Sequence, residues 1–310
     1  MDMTYRKPRF APSRLLATML VCCSLALSPG FSFEAAAQNA SVQAGGATDA
    51  KDNIAGPYVP TPWPIVEELL KMADIGKDDL VYDLGSGDGR LVITAARRFG
   101  ARGVGIEIQP KLIELANAQA KEAGVSGRVS FRAADLFESD YRDASVITLY
   151  LLPRFVPRLV PKFRAELKPG TRIVSHDYPL LPWPADKVLS FDVAEKEQIS
   201  GVTRTVLYFY LVPARLGGGW QLSLPKSLVA EPVTISVMQD PEVLTGFARI
   251  GTDMLPLRDF VVKGESVRFS VFVRGKMMNF SGNATEHEMS GVLEVHGGAR
   301  EVWSARRAAP

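Results

Sequence analysis

The sequence has little cysteine, and the little it has lies at one end. Cys22 and Cys23 are the only cysteines among 310 residues, and both fall in an N-terminal segment that we predict to be removed. A mature chain without them has no disulfide and no thiolate nucleophile, which excludes reactions through a cysteine adduct. Histidine is also scarce. His287 and His296 have no cysteine or histidine partner at metal-ligand spacing, so we predict no metal site.

An excess of charge of either sign is missing as well. Loss of residues 1–37 would take away four of the 36 basic and two of the 34 acidic residues, which leaves 32 of each. A neutral chain lacks the basic surface that nucleic acid requires. We therefore expect no nucleic-acid partner, and the composition does not indicate an oligomeric state.

The N-terminus has the pattern of a secretory signal. Four basic residues precede an apolar stretch at 15–27, and three alanines at 35–37 resemble a cleavage site. We predict a signal peptide over 1–37 and export to the periplasm. The apolar stretch is short for a membrane span, but an uncleaved anchor in the inner membrane, with the chain close to that membrane, stays an alternative. A lipoprotein is a further alternative, and the protein is cytoplasmic if the segment does not function.

The rest of the chain divides by composition into three parts. Residues 38–52 are rich in small and polar residues and read as a flexible linker. Residues 53–213 carry alternating strand and helix patterns, which predict an α/β domain with a Rossmann-like sheet. Residues 214–310 change to a period of two with frequent turn residues, as in 233–237 and 267–273. This last part predicts a small antiparallel barrel or sandwich.

The stretch Leu80–Arg90 is the best functional signal. An apolar strand, Leu80–Leu84, runs into Gly85-Ser86-Gly87-Asp88-Gly89, and a helix is predicted over 90–99. A strand, a glycine turn and a helix N-terminus present backbone N–H groups to a ligand. The spacing is not that of dinucleotide binders, and Asp83 and Asp88 would repel a pyrophosphate. S-adenosylmethionine (SAM) has no phosphate and carries two cationic groups, so these acids favour it.

Two further acids follow predicted strands. Glu107 ends the strand 103–108, next to Ile108, and can accept hydrogen bonds from the two hydroxyls of a ribose. Asp135 follows the strand 129–132, where it can accept a hydrogen bond from an adenine amino group while Leu136 flanks the ring. Three acids just past three strands lie on the same edge of one sheet. This arrangement predicts an adenosyl cofactor.

The ends of the later strands indicate where the transferred group should lie. Tyr150 follows the strand predicted over 145–152, where the transferred group should point, and His176 follows the strand 171–175. We consider both as catalytic candidates, with His176 a general base for an amine or hydroxyl. Methyl transfer to a neutral amine needs positioning more than a base, so the catalytic residues stay open. Two strands, 188–194 and 203–212, predict the antiparallel pair that closes a seven-stranded sheet.

Several of these stretches together resemble a known group. They are Pro57–Pro62, Val81–Arg90, Gly103–Ile108, Ala134–Leu136 and Thr148–Leu152. They are similar to bacterial class I SAM-dependent methyltransferases (EC 2.1.1.-) related to the mitochondrial ATP synthase c-subunit lysine methyltransferase. More remotely, they resemble histone lysine methyltransferases of the disruptor-of-telomeric-silencing type.

The resemblance implies a cofactor site and an acceptor. It implies that the segment around Tyr58 and Thr61 closes over the methionine end of SAM and that Asp83, Gly85, Ser86, Gly87 and Gly89 cradle it. Glu107 and Asp135 take the ribose and adenine roles, and a protein lysine is the implied acceptor. The alternative is an exported binding or interaction protein that keeps the nucleotide fold without turnover. An NAD-dependent oxidoreductase is a third hypothesis, disfavoured by the acids at the turn.

Overall fold

The computed structural model describes residues 58–240, 243–298 and 300–308. The predicted signal peptide (1–37), the predicted linker (38–52) and residues 53–57 lie outside the described residues. Within the described ranges, no helix is both long enough and apolar enough to cross a membrane.

Seven strands form the first sheet. They are β1 (Leu80–Leu84), β2 (Arg102–Glu107), β3 (Val129–Ala133), β4 (Val146–Leu149), β5 (Arg172–His176), β6 (Lys187–Asp192) and β7 (Arg204–Leu211). Their order is β3-β2-β1-β4-β5-β7-β6. The first five are parallel, β7 is antiparallel to β5, and β6 is antiparallel to β7. The predicted Rossmann-like seven-stranded sheet is confirmed, and its switch point between β1 and β4 is where such sheets bind ligands.

Helices cover both faces of this sheet. They are α1 (Trp63–Met72), α2 (Arg90–Phe99), α3 (Pro110–Glu122), α4 (Val156–Glu166) and α5 (Ala194–Ser200). The first three contribute to one core, which includes Val81 of β1. Helix α4 contributes to the other core, which includes Tyr82 and Leu84 of the same strand. Successive side chains of a strand point to opposite faces, so a strand buried on both faces reads as a continuous apolar run.

Two elements differ from the sequence-based prediction. Strand β4 ends at Leu149 and not at Leu152, because Pro153 has no N–H to donate to a neighbouring strand and the chain turns away before it. Residues 150–152 therefore form a loop at the edge of the sheet. Helix α5 was not predicted: its two turns are too short to show a helical period, and Gly201 ends it with φ +76°.

A second sheet of nine antiparallel strands follows. The strands are β8 (Gly218–Ser223), β9 (Val233–Gln239), β10 (Leu244–Ile250), β11 (Asp253–Pro256), β12 (Arg258–Lys263), β13 (Ser266–Val273), β14 (Lys276–Ala284), β15 (Glu288–Val295) and β16 (Arg300–Arg307). Their order is β11-β10-β9-β8-β16-β15-β14-β13-β12. Strands β10 and β11 come close to β12 and β13, so the sheet curls into a nearly closed barrel. The predicted antiparallel all-β domain is confirmed.

Aromatic side chains fill the inside of the curled sheet. The rings of Phe269 and Phe280 stack with centroids 4.6 Å apart, and the Trp303 ring meets both edge-on. Trp220 is fully buried, and its indole N–H donates to the Leu216 carbonyl at 2.7 Å. This sheet therefore has its own core and does not depend on the first sheet to bury its apolar face.

The two sheets meet at the edge where the parallel strands begin. The Arg215 guanidinium donates to the backbone carbonyls of Arg164, Ala165 and Leu167 at the end of α4, at 3.1–3.3 Å. These carbonyls have no partner inside a helix, and a cation beside them is favourable. The Ala214 N–H also donates to the Gly264 carbonyl at 2.7 Å. The opposite edge, where the parallel strands end, stays open for a ligand.

Candidate functional site

A cavity of about 350 Å³ opens where the parallel strands end. Its size is within the range of about 300–1,000 Å³ that small-molecule sites occupy. Ten of the eleven predicted cofactor-binding residues line it: Tyr58, Thr61, Asp83, Gly85, Ser86, Gly87, Glu107, Ile108, Asp135 and Leu136. The structure thus brings together residues that are up to 78 positions apart in the sequence.

Gly89 is the eleventh residue, and the structure does not bring it to the cavity. It caps α2 in a left-handed conformation, with φ +78°, and its N–H donates to the Ser86 carbonyl at 2.9 Å. A Cβ atom there would lie 2.5 Å from the Phe131 ring. Gly89 therefore closes the turn and lets α2 approach β3, and it does not line the cavity.

Gly87 sits directly under an aromatic ring. A Cβ atom at this position would lie 2.5 Å from the Tyr58 ring, so there is no room for a side chain. The φ angle of +54° is also one that residues with a side chain rarely adopt. Burial and the neighbouring Asp88 carboxylate raise the pKa of Tyr58 to about 12, which keeps its phenol protonated. The segment Tyr58–Pro62, which we call the strap, thereby closes over the glycine turn.

The strap is also held by an arginine that the sequence analysis did not single out. Arg90 donates through Nε and Nη2 to Asp88, the latter at 2.7 Å, and through Nη1 to the Thr61 carbonyl at 2.7 Å. Burial alone would raise the pKa of Asp88, but the hydrogen bonds and charge of Arg90 lower it. The alternation of Asp88 and Arg90 in the turn was a visible signal for this pair. The contact of Arg90 with the Thr61 carbonyl, 29 residues away, had no such signal in the sequence.

The Glu107 carboxylate is held by three backbone N–H groups. Its Oε2 accepts from the Gly87 N–H at 3.0 Å, and its Oε1 accepts from the N–H groups of Ile108 and Gln109 at 2.9 and 3.0 Å. A carboxylate offers about four lone-pair positions, so one acceptor position on Oε2 is left, and Glu107 lines the cavity. The carboxylate is buried and fixed in orientation before any ligand arrives.

Asp83 is the most deeply buried acid of the site. Its Oδ1 accepts from the Thr148 hydroxyl at 2.7 Å. Burial raises the pKa of Asp83 to about 7, the nearby Asp88 and Glu107 carboxylates act in the same direction, and the Thr148 hydrogen bond opposes them. Because like charges and burial both disfavour the anion, a cation in the cavity would stabilise the ionised form.

Asp135 follows β3 at the far side of the cavity. Its Oδ1 accepts from the Phe137 N–H at 2.8 Å, which fixes the turn after the strand. Leu136 lies beside it in the cavity wall. A carboxylate oxygen next to an apolar side chain suits a flat ring that carries an amino group.

Tyr150 lies in the cavity wall, but His176 does not. The His176 ring is fully buried beneath Tyr150, with the two ring centroids 4.0 Å apart. Burial lowers the pKa of His176 to about 4, and burial raises the pKa of Tyr150 to about 12. Both side chains are therefore neutral near pH 7. The strand-end position suggested His176 as a base at the site, but the side chain points into the core and has no access to the cavity.

The remaining wall lies on the side of β4, β5 and α5 and was largely missed by the sequence analysis. It is formed by Leu151, Leu152, Phe155, Tyr178, Ile199 and Ser200, together with Tyr150. We call it the β4–α5 side and the opposite wall the β1–β3 side. Ile199 and Ser200 belong to α5, which was not predicted. The β4–α5 side is apolar and aromatic.

The charges in the cavity wall have one dominant sign. Four carboxylates line it, those of Asp83, Asp88, Glu107 and Asp135, and Arg90 is the single basic residue there among the described residues. Because Arg90 is paired with Asp88, three acids are left to face a ligand. This arrangement favours a cationic ligand and opposes a pyrophosphate. No cluster of three metal-ligating side chains occurs in the described ranges.

Comparison with known proteins gives consistent matches. Residues 83–187 match the family model described as the ANTKMT methyltransferase domain. The chain is 40% identical over 157 residues to a protein-lysine N-methyltransferase of Saccharolobus islandicus, which covers 50% of this chain and 93% of that protein. It is 34% identical over 139 residues to the mouse ATP synthase c-subunit lysine N-methyltransferase, which covers 45% of this chain and 56% of that protein.

Among solved structures, the chain is similar to an RNA methyltransferase from Salinibacter ruber that was crystallised with S-adenosyl-L-homocysteine. The two are 47% identical, the match covers 51% of this chain and 96% of that chain, and the TM-score is 0.46. Each of these matches covers about half of the present chain at most.

Proposed function

The chain belongs to the family of SAM-dependent methyltransferases that includes the Saccharolobus islandicus protein-lysine N-methyltransferase, and from this premise we propose that it methylates the side-chain amine of a protein lysine. The observation that carries the proposal is the match to that relative, which spans 93% of its length. The mouse ATP synthase c-subunit lysine N-methyltransferase supports the same acceptor. The acid-lined cavity supports the cofactor.

The residues of the β1–β3 side fit SAM one by one. Glu107 has a fixed, buried carboxylate for the ribose hydroxyls, and Asp135 with Leu136 suits the adenine. The Asp83 carboxylate would stabilise the cationic amino-acid portion, and such a cation would oppose the effect of burial and of the neighbouring carboxylates on the pKa of Asp83. When bound, SAM supplies an electrophilic methyl group on a sulfonium centre.

The β4–α5 side fits the acceptor. A lysine amine must lose its proton before it attacks, and an apolar wall lowers the pKa of an ammonium group because burial disfavours the charged form. Leu151, Phe155 and Ile199 provide such a wall. The neutral phenol of Tyr150 can orient the amine by a hydrogen bond without acting as a base. The protein then contributes position and desolvation.

We also propose that residues 1–37 direct the protein to the periplasm or anchor it in the inner membrane, where its acceptor would lie close to the membrane. The proposal rests on the basic and apolar pattern of the sequence alone. Fusion of residues 1–60 to a reporter that is active only outside the cytoplasm tests it. An inactive fusion would place the protein in the cytoplasm.

Labelling tests the proposed activity. The purified full chain is incubated with SAM carrying a radioactive methyl group and with separate protein, membrane and RNA fractions of the source cells. We expect label on protein, and mass spectrometry should place the added methyl groups on lysine. Label on RNA alone would contradict the acceptor, and absence of label from every fraction would favour a binding protein without turnover.

A further inference from the structure

Helix α5 places two side chains in the cavity wall. It spans Ala194–Ser200, between β6 and β7, and brings Ile199 and Ser200 to the β4–α5 side. Ile199 is 42% exposed although it is a large apolar residue. An apolar side chain that lines a cavity and still faces solvent is available to a substrate.

The same helix carries a buried lysine. Lys196 is 3% exposed, and its Nζ lies 2.8 Å from Oδ1 and 2.7 Å from Oδ2 of Asp177. Nζ also donates to the Arg204 carbonyl. Removing a lysine from water is unfavourable unless its charge is paired. Neither cofactor binding nor methyl transfer, as derived above, uses this pair, so its presence needs another explanation.

The pair holds the part of α5 that faces the cavity. Residues at positions i, i+3 and i+4 share one face of a helix, and Lys196, Ile199 and Ser200 have this spacing. The Ser200 hydroxyl donates to the Lys196 carbonyl at 3.1 Å. Asp177 in turn is fixed to β7, since its Oδ1 accepts from the Val206 N–H at 3.2 Å. A fixed Lys196 therefore fixes Ile199 and Ser200.

Other anchors of α5 are few and lie at its ends. Val193, before the helix, is buried in the core, and its N–H donates to the Thr203 carbonyl at 2.9 Å. No side chain caps the helix N-terminus. Two helical turns are not stable by themselves in water. The Lys196 side chain, through Asp177 and the Arg204 carbonyl of β7, thus ties the middle of α5 to the sheet.

We propose that α5 is the wall against which the acceptor lysine packs, and that the buried Lys196–Asp177 ion pair is the positioning contact that holds this wall. This inference rests on the proposed function, since it names the acceptor portion of the same cavity. The apolar Ile199 side chain and the aromatic rings of Tyr150 and Tyr178 suit the methylene stem of a lysine. Lys196 itself does not touch the substrate.

A probe that carries a lysine-like arm tests the proposal without knowledge of the natural acceptor. The probe is an analogue of S-adenosylhomocysteine in which a nitrogen with a 4-aminobutyl chain replaces the sulfur. S-adenosylhomocysteine is the reference, since it lacks the arm. Calorimetric titration of the full chain with both compounds gives the ratio of their affinities, which reports on the wall separately from the β1–β3 side.

Two changes are compared with a matched control. Ile199→Arg puts a cation beside the arm, and we expect the probe to lose about tenfold in affinity relative to the reference. The double variant Lys196→Met/Asp177→Asn releases the wall without leaving an unpaired buried charge, and we expect a similar loss of affinity for the probe. Lys196→Arg keeps the ion pair, and we expect it to keep the ratio of the probe and reference affinities. Val188→Arg is the control, because Val188 is 59% exposed on β6 and does not line the cavity.

The outcomes separate this inference from the proposed function. An unchanged ratio in Ile199→Arg overturns the wall, and an unchanged ratio in the folded double variant overturns the positioning role. If each variant loses affinity for the probe and for the reference by the same factor, both the wall and the positioning role are overturned. If circular dichroism shows the double variant unfolded, a reduced ratio in Lys196→Arg overturns the positioning role and a kept ratio upholds it. If wild-type protein does not bind S-adenosylhomocysteine at all, the proposed function itself fails.

Discussion

On the β1–β3 side of the cavity, the acids Asp83, Glu107 and Asp135 lie at the ends of strands or just after them, whereas the β4–α5 side consists of loop residues and a short helix. On the first side, carboxylates are fixed by hydrogen bonds, that of Glu107 by three backbone N–H groups and that of Asp83 by the Thr148 hydroxyl. On the second side, the wall is apolar, and the middle of α5 is held by a single side chain, that of Lys196, which contacts Asp177 and the Arg204 carbonyl. A rigid, charged half suits a constant cofactor, and an apolar half with a single tether suits a variable acceptor.

The largest effect on ligand affinity is expected from a substitution on the β1–β3 side. Glu107→Ala removes the carboxylate for the ribose hydroxyls and leaves three N–H groups without their acceptor. Two hydrogen bonds to a charged group contribute about 3 kcal/mol, so the affinity for S-adenosylhomocysteine should fall about a hundredfold in calorimetry. Glu122→Ala on the exposed end of α3 is the control and should bind normally. Retained affinity in Glu107→Ala would show that the two sides do not differ in the way described.

An intermediate effect comes from pH. The pKa of Asp83 is about 7 in the unliganded protein, and a bound ammonium group lowers it. Binding therefore favours the ionised form, and the affinity for S-adenosylhomocysteine should fall by up to about tenfold per pH unit below pH 7. The compound 5′-methylthioadenosine lacks the ammonium and should show no such decline.

Asp83 also affects the stability of the unliganded protein. Because folding raises its pKa, folding binds a proton at intermediate pH, and the contribution to stability is lost as pH rises through about 7. Asp83→Asn should remove the pH dependence of binding and raise the melting temperature at pH 8. A pH dependence that survives in Asp83→Asn would assign it to another group.

The smallest effect concerns the β4–α5 side. Tyr150→Phe removes a neutral hydroxyl, since the pKa of Tyr150 is about 12, and one neutral hydrogen bond contributes about 1 kcal/mol, or about fivefold in the rate of methyl transfer. Loss of a general base would lower the rate about a hundredfold or more. The rate is measured with the acceptor found by labelling, and the affinity for S-adenosylhomocysteine should stay the same. A loss of the larger size would make Tyr150 a base.

The two sides also differ in how far they could be predicted. The positions of Asp83, Glu107 and Asp135 followed from apolar runs that end in acids, because the ends of parallel strands lie at one edge of a sheet. The antiparallel closing strands and the all-β second sheet were predicted from the same kind of periodicity. These are local patterns, so one sequence is enough to detect them.

Contacts between distant residues left no such pattern. Arg90 acts through the Thr61 carbonyl, and Lys196 acts through Asp177, 19 residues before it. In a short stretch of polar residues, the sequence does not distinguish a buried lysine such as Lys196 from a solvent-exposed one. His176 shows the converse problem, since a strand-end position does not tell whether the side chain faces the cavity or the core.

The attachment of the second sheet through Arg215 and the end of α4 has a practical consequence. That junction lies at the edge of the first sheet opposite the cavity. A support or tag linked to the second sheet would therefore leave the cavity entrance free. The protein can be immobilised by its second sheet and offered intact multiprotein assemblies, and under the proposed function it would modify those that expose a suitable lysine.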